Sequence, residues 1–323
     1  MKKIDPSDHK GKPGESASGK APAPQPEIGL ALGSGVARGW AHIGVLKRLE
    51  QAGFRPDYLC GTSIGALIGG MYLAGKLDAL EEWARGIGSS GLFRLLDIRL
   101  SGSGLISGNK LFTLLEDSLG DTRIEDLPIP FAAVTTELGT GHEIWIREGN
   151  LARAITASYA LPGLFSPQKI GGRWLIDGAL TNPVPVSVCR ALGARLIVAV
   201  NLNVDVFGLT NIGDTEAAFM AGENGNGLTA HARSPLNLMK RRFFDKDGPE
   251  PSIFGVMMSS LNIVQDRLSR SRLAGDPPDI TIAPRLARFG LLEFNRAPEM
   301  IAEGEQAVDR SLDFLHQAAD VLA

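Results

Sequence analysis

Residues 57–70 read DYLCGTSIGALIGG and place a serine, Ser63, at the corner between two apolar segments. The segment before Gly61 is short and typical of a strand, and the segment after Gly65 is typical of a closely packed helix. A glycine stands two positions from Ser63 on each side. The pattern fits a nucleophile held at a sharp turn, and it also fits a tight structural loop.

A nucleophile elbow requires a strand, a tight turn and a helix in that order. Its serine has a strained backbone, and the positions of Gly61 and Gly65 would be too crowded for a side chain. The start of the helix adds partial positive charge near the attacking oxygen. The strand–turn–helix context around Ser63 therefore favours the elbow over the structural turn.

A glycine-rich loop precedes this corner: residues 33–46, GSGVARGWAHIGVL, follow the apolar run IGLALG. Such a loop between a strand and a helix forms a dinucleotide site, an anion cradle or an oxyanion hole, because all three use backbone N–H groups. The fingerprint G-x-G-x-x-G is not met, since the third glycine is Gly39, one place late. No acidic residue ends a second strand about twenty residues on, so a dinucleotide site is disfavoured.

The two turns are predicted to lie side by side. A strand at 28–33, a helix at 39–52 and a strand at 57–60 form one βαβ unit, and such a crossover is nearly always right-handed. Both turns then emerge at the carboxyl edge of neighbouring parallel strands. N–H groups near Gly35 and Val36 are expected to face the Ser63 hydroxyl, as acyl transfer requires.

A base for Ser63 must come from elsewhere in the chain. The five histidines are His9, His42, His142, His231 and His316. Only His231 follows the chain order Ser…Asp…His of α/β-hydrolases, and its surroundings resemble a flexible loop. The other candidate is Asp177 in WLIDGALTNPVPV, at the end of an apolar strand, although Asp177-Gly178 is also an ordinary turn signal.

The rest of the chain predicts an α/β fold with a mostly parallel sheet and helices on both faces. We interpret 1–27 as a disordered polar tail and 203–250 as an insertion or mobile loop. Further strands are expected at 130–138, 142–148, 173–177, 194–202 and 279–284. Further helices are expected at 183–192 with Asn182 as cap, near 252–272, and at 297–322.

Composition narrows the function classes. The net charge of the 323 residues is −3, which gives no electrostatic basis for a nucleic-acid partner. Two cysteines do not form a disulfide framework, so we expect a reducing, cytoplasmic location. No apolar run approaches the ~18 residues of a membrane-spanning helix, and no cluster of metal ligands is evident.

With GSGVARGWAHIGVL, GTSIG and DGALTNPVP in order and at family-like spacing, the sequence resembles the patatin-like phospholipase family. The resemblance is strongest to small bacterial members of the neuropathy-target-esterase type. It covers 28–200, the expected catalytic core, and extends to the ending NRAPEMIAEGEQAV. Residues 201–323 would add a variable loop, helices and a strand to the same domain.

The resemblance implies a three-layer patatin-like fold and a Ser–Asp dyad with no cofactor. Ser63 would be the nucleophile, Asp177 the proton acceptor, and Arg38 a brace for the loop. The expected oxyanion hole is Gly33, Ser34, Gly35 and Val36, and the supporting motif positions are Gly39, Gly61, Gly65 and Gly178. Many relatives have glycine where this chain has Ser34 and Val36; backbone donors tolerate this while φ stays negative.

The function expected is hydrolysis of carboxylic ester bonds in phospholipids or lysophospholipids through an acyl-enzyme. An Asp with a pKa of about 3.9 is a poor base, so burial must raise it. A lipid-binding regulator and an acyltransferase are the alternatives. Leu161, Leu164 and Phe165 offer an acyl surface or core packing. The basic, aromatic segment 236–244 is a candidate for transient contact with the inner membrane face.

Overall fold

The computed structural model describes residues 26–87, 109–204 and 253–322. The eight strands in these ranges form one sheet. They are β1 (Ile28–Leu32), β2 (Tyr58–Thr62), β3 (Phe131–Glu137), β4 (Glu143–Ile146), β5 (Gln168–Ile170), β6 (Arg173–Asp177), β7 (Leu196–Val200) and β8 (Ile280–Ile282). The helices of the described ranges are α1 (Ala41–Gln51), α2 (Ile64–Leu73), α3 (Leu77–Arg85), α4 (Asn109–Leu119), α5 (Leu151–Ser158), α6 (Val186–Leu192), α7 (Ile253–Gly275), α8 (Ala297–Asp309) and α9 (Leu312–Leu322).

The sheet is mostly parallel, as predicted. Its order is β5-β6-β3-β2-β1-β7-β8, with β4 paired to β3 off this path. Strands β3, β2, β1, β7 and β8 run parallel to one another, whereas β4 and β6 pair antiparallel with β3, and β5 pairs antiparallel with β6. The carboxyl ends of the parallel strands therefore share one edge, where the two glycine-rich turns lie.

Helices cover both faces of the sheet, which confirms the predicted layers. Side chains alternate along β1, so Leu30 and Leu32 enter one apolar core and Ala31 enters another. The first core is filled from α1, α2, α5 and α8. The second is filled from α6 and includes Cys189. Burial on both faces explains why β1 and β7 are continuous apolar runs.

Strands β2 and β6 lie on the same side of β3, end to end. Residues 133–136 of β3 pair with β4 along one side of the strand, so the other side is left for β2 and β6. There Thr62 pairs with Val134, and Asp177 pairs with Thr135. Because β2 is parallel and β6 antiparallel to β3, their carboxyl ends meet at consecutive β3 residues.

Several predicted boundaries are corrected. The helix expected at 183–192 is only Val186–Leu192, and its N-cap is Pro185 instead of Asn182. The last helix divides into α8 and α9. Among the described residues, no helix is long and apolar enough to cross a membrane. Most of the predicted tail, at 1–25, and of the predicted insertion, at 205–250, lies outside those residues.

Candidate active site

Ser63 occupies a strained turn between β2 and α2. Its backbone angles are φ 58° and ψ −123°, in a region that residues other than glycine rarely adopt. A Cβ at Gly61 would lie 2.4 Å from the Ala66 nitrogen, and one at Gly65 would lie 2.2 Å from the Leu32 oxygen. Both flanking positions therefore require glycine because backbone approaches them too closely for a side chain.

Two side chains hold this turn, and one of them, Ser158, lies outside the predicted motifs. The Ser63 N–H donates to Ser158 Oγ at 2.9 Å, and the Ser158 hydroxyl donates to the Val134 carbonyl at 2.6 Å. The Thr62 hydroxyl donates to the Asn182 carbonyl at 2.8 Å. Sequence reasoning missed Ser158, because a small polar residue at the end of an apolar helix carries no signal of its partner.

The Ser63 hydroxyl donates a hydrogen bond to Asp177 Oδ2 at 2.6 Å. The other carboxyl oxygen, Oδ1, accepts from the Ala179 N–H at 2.8 Å. The Asp177 backbone is fixed as well, since its carbonyl accepts from the Thr136 hydroxyl at 3.0 Å. Asp177 and Ser63 are both buried. The carboxylate is thus held by β6 and by the turn that follows it.

Burial raises the pKa of Asp177 from 3.8 to about 7, against the opposing effect of the hydrogen bonds from Ser63 and Ala179. The cause is the loss of water around the ionised carboxylate. A carboxyl group with this pKa exists in both protonation states near neutral pH. It can therefore accept and return a proton under those conditions.

The glycine-rich loop offers fewer free donors than the sequence predicted. The Gly33 N–H donates to the Val200 carbonyl at 3.0 Å, and the Ser34 N–H donates to the Pro183 carbonyl at 2.8 Å. These two groups are occupied, which corrects the expected four-residue oxyanion hole. Within the described residues, the N–H groups of Gly35 and Val36 have no hydrogen-bond acceptor.

Val36 has φ 52°, so the condition of negative φ, under which a side chain is tolerated at this position, is not met. A β-branched side chain is strained in the left-handed region. The side chain packs on the cluster of Leu161, Leu164 and Met258. Among the described residues other than glycine, Ser63 and Val36 are the ones with positive φ, and both lie at the same edge of the sheet.

Buried side chains fix the loop. His42 Nε2 lies 2.7 Å from the Gly33 carbonyl, and because a carbonyl only accepts, this nitrogen carries the proton. Burial lowers the pKa of His42 to about 4, so the ring is neutral at pH 7. Arg38 Nε donates to the Phe289 carbonyl at 2.9 Å, and Ser34 Oγ lies 3.4 Å from Gln265 Oε1. The bond from Arg38 links the glycine-rich loop to a carbonyl far along the chain.

The remaining motif glycines also permit close packing. A Cβ at Gly39 would lie 2.1 Å from Ile64 Cγ1, so this glycine lets the loop pack on the start of α2. A Cβ at Gly178 would lie 2.2 Å from the Val134 oxygen. Gly178 thus allows the turn after Asp177 to rest on β3.

No histidine among the described residues contacts Ser63 or Asp177. His42 bonds to Gly33, His142 lies exposed in the β3–β4 turn, and His316 bonds to the Leu312 carbonyl on α9. His9 and His231 fall outside the described ranges. Those ranges also contain no cluster of three or more His, Cys, Asp or Glu that could hold a metal ion.

The expected acyl surface forms a buried apolar cluster next to the loop. Leu161 and Leu164 pack with Met258 and Leu292, and Val36 contacts the same cluster. Phe165 is partly buried and packs edge-on against Tyr159 at 5.3 Å. These contacts show that Leu161, Leu164 and Phe165 pack in the core. The segment 236–244 lies outside the described residues.

Comparisons with known proteins agree with the motif positions. Residues 30–190 match the family model described as patatin-like phospholipase. An uncharacterized NTE family protein of Mycobacterium tuberculosis is 32% identical over 89% of this chain and 92% of its own length. The neuropathy target esterase sws of Drosophila melanogaster is 35% identical over 58% of this chain and 14% of its own length.

Two solved structures resemble the chain only distantly. VipD from Legionella pneumophila has a TM-score of 0.37 at 13% identity, covering 93% of this chain and 80% of VipD. Human GIVD cytosolic phospholipase A2 has a TM-score of 0.39 at 14% identity, covering 92% of this chain and 59% of that one. The sequence matches carry the assignment, because the mycobacterial relative aligns over nearly the whole of both proteins. The chain belongs to the patatin-like phospholipase family, in the branch of the NTE family proteins.

Proposed function

We propose that this protein is a serine acyl hydrolase that cleaves ester bonds of phospholipids or lysophospholipids through a Ser63–Asp177 dyad. At the coarser level, the family is one of lipid ester hydrolases. The observation that carries the finer proposal is the 2.6 Å hydrogen bond from the Ser63 hydroxyl to the buried Asp177 carboxyl group. It joins a strained serine to a base whose pKa is about 7.

Acylation begins when Ser63 Oγ attacks the ester carbonyl carbon. The hydroxyl proton passes to Asp177 Oδ2 as the new C–O bond forms. The carbonyl oxygen becomes negative, and the N–H groups of Gly35 and Val36 supply the donors for it. The intermediate then collapses: the bond to the alcohol breaks, the leaving oxygen takes the proton from Asp177, and the acyl group stays on Ser63.

Deacylation repeats these steps with water. Asp177 accepts a proton as water attacks the acyl carbonyl, and the same two N–H groups face the negative oxygen. Collapse breaks the bond to Ser63 Oγ, which takes the proton back. The products are a fatty acid and the free enzyme, so ester and water are converted to acid and alcohol with one base throughout.

The buried surroundings of Asp177 suit it to both halves of the cycle. An exposed Asp with a pKa of about 3.9 would hold a proton from serine too weakly at neutral pH. A base near pH 7 balances proton acceptance against proton return. Burial of the carboxyl group therefore gives Asp177 a pKa that suits both proton acceptance and proton return.

Hydrolysis by matched variants tests this proposal. Wild type, Ser63→Ala, Asp177→Asn and His231→Ala would be assayed on a panel of phospholipids, lysophospholipids and p-nitrophenyl butyrate. Ser118→Ala, on α4, serves as a folded control because Ser118 bonds only to its own helix, at Leu114.

We expect Ser63→Ala and Asp177→Asn to hydrolyse these esters at least about a thousandfold more slowly than wild type. His231→Ala and Ser118→Ala should match the wild-type rate. Full activity of Ser63→Ala would refute the proposal. Activity that depends on His231 and survives in Asp177→Asn would replace the dyad with a triad. Transfer of the acyl group to an added alcohol in preference to water would make the protein an acyltransferase.

A further inference from the structure

Two large apolar side chains lie exposed together near the turn of the β5–β6 hairpin. Trp174 is 51% exposed and Leu138 is 54% exposed. The Leu138 N–H donates to the Trp174 carbonyl at 2.8 Å, which places the residues on adjoining strands. With Lys169 and Arg153 they form what we call the hairpin surface.

The hairpin surface stands at the catalytic edge of the sheet. Strand β2 ends at Thr62 opposite Val134, but β3 continues beyond that point and pairs with β6. Asp177 lies at the inner end of β6, level with Thr135. Trp174 is three residues outward, about 10 Å further from the centre of the sheet at the usual rise per residue.

The charge around these apolar groups is mainly positive. Lys169 is the cross-strand partner of Trp174, and its Nζ lies 5.6 Å from the centre of the indole ring. Arg153 donates to the Lys169 carbonyl at 3.0 Å and adds a second cation. Arg173 alternates to the opposite face of β6, where it lies 3.8 Å from Glu137.

This combination matches the chemistry of an anionic lipid surface. Indole rings favour the boundary between lipid headgroups and acyl chains, because one end is apolar and the other polar. Lysine and arginine are attracted to anionic headgroups. Two apolar side chains offer far less than the area of about 1,000 Å² that a stable protein interface buries, so a protein partner is disfavoured.

We propose that Trp174 and Leu138, with the cations Lys169 and Arg153 beside them, dock this protein on an anionic phospholipid bilayer with its catalytic edge facing the lipid. The purpose of docking rests on the proposed lipid substrate, but the binding experiments that test docking do not depend on that substrate. It involves none of the residues 236–244.

Vesicle co-sedimentation tests docking directly. Wild type would be compared with Trp174→Ala/Leu138→Ala and Lys169→Gln/Arg153→Gln on vesicles of phosphatidylcholine with phosphatidylglycerol. Phe314→Ala is the apolar control, because Phe314 is an exposed apolar side chain on α9. This helix lies at the opposite, amino edge of the sheet, where His316 contacts Phe54 in the loop that enters β2. Lys76→Gln/Arg195→Gln removes two exposed charges at that same amino edge.

We expect the apolar double variant to partition at least about tenfold more weakly, and the charge variant about fivefold more weakly for each charge. Both control variants should bind as wild type does. Wild-type binding should weaken with salt and on vesicles of phosphatidylcholine alone. Equal binding by wild type and both hairpin variants would overturn the proposal.

Fluorescence and activity separate docking from catalysis. Brominated acyl chains should quench wild-type tryptophan fluorescence and lose that effect in Trp174→Phe, although three of the four tryptophans remain. The hairpin variants should hydrolyse p-nitrophenyl butyrate at the wild-type rate, and Ser63→Ala should still bind vesicles. If the hairpin variants instead convert a dimer to a monomer in analytical ultracentrifugation without changing vesicle binding, the surface joins two copies of the chain and the proposal fails.

Discussion

Ser63 and Asp177 meet because the strands that carry them end on consecutive residues of β3. Thr62 pairs with Val134 and Asp177 pairs with Thr135, and the resulting Oγ–Oδ2 distance is 2.6 Å. The register of a buried sheet therefore sets this separation. Groups held by regular strands are positioned more firmly than groups on loops, so little reorganisation is needed for proton transfer.

The rate of ester hydrolysis should depend on pH through Asp177. Its pKa of about 7 means that the basic form is lost below neutral pH. We expect kcat/KM for p-nitrophenyl butyrate to fall about tenfold per pH unit below that value and to level off above it. The measurement is a pH–rate profile of wild type and His231→Ala, which should coincide. A flat profile down to pH 5 would contradict the assigned base.

Asp177→Asn should stabilise the fold at neutral and alkaline pH. The folded-state pKa is raised from 3.8, so wild-type stability declines as pH increases from about 4 and levels off above about 7. The amide has no charge to bury, so the variant should gain on the order of a few kcal/mol over wild type across that window. Urea unfolding at pH 5 and pH 8 checks this. An equal difference at both pH values would count against it.

Ser158→Ala should impair turnover more than substrate binding. The substitution removes the hydroxyl that accepts from the Ser63 N–H and donates to the Val134 carbonyl. A buried N–H and a buried carbonyl therefore each lose a hydrogen-bond partner. We expect kcat to fall about 10- to 100-fold with little change in KM, because the turn loses its fixed geometry. Thr156→Val is the control on the same helix, since the Thr156 hydroxyl donates to the Ala152 carbonyl of that helix. If both variants lose activity equally, Ser158 has only a structural role.

Position 36 should prefer glycine to alanine. The φ of 52° strains any side chain there, so Val36→Gly should be about 1 kcal/mol more stable than Val36→Ala. At the exposed helical site Gln317 the order should reverse, with alanine more stable by a similar amount. Urea unfolding of the four variants measures both differences. Greater stability of Val36→Ala would show that the strain is not significant.

Much of the fold follows from local sequence pattern. The apolar run IGLALG, the glycine loop and GTSIG are each short and continuous, so their strand–turn–helix order was predictable. The parallel pairing of the two strands in a βαβ unit then placed both turns at one edge. Asp177 was predictable as an acid at a strand end, since Arg173–Asp177 is β6.

The remaining features depend on distant partners. Nothing in RWLID indicates that β6 runs antiparallel and meets β2 end to end. The N–H groups of Gly33 and Ser34 are excluded from the oxyanion hole only because they donate to the carbonyls of Val200 and Pro183. Those two residues lie far along the chain, so the local sequence gives no sign of these bonds. Asn182 resembled a helix cap locally, but its amide bonds to Glu143 and Ser187 instead.

Covalent labelling by a fluorophosphonate, with the modified peptide identified by mass spectrometry, tests the central claim most directly. The account predicts one adduct, on Ser63, that forms rapidly with wild type and at least about a hundredfold more slowly with Asp177→Asn. Labelling of another residue, or equal labelling of Ser63 in both proteins, would contradict it.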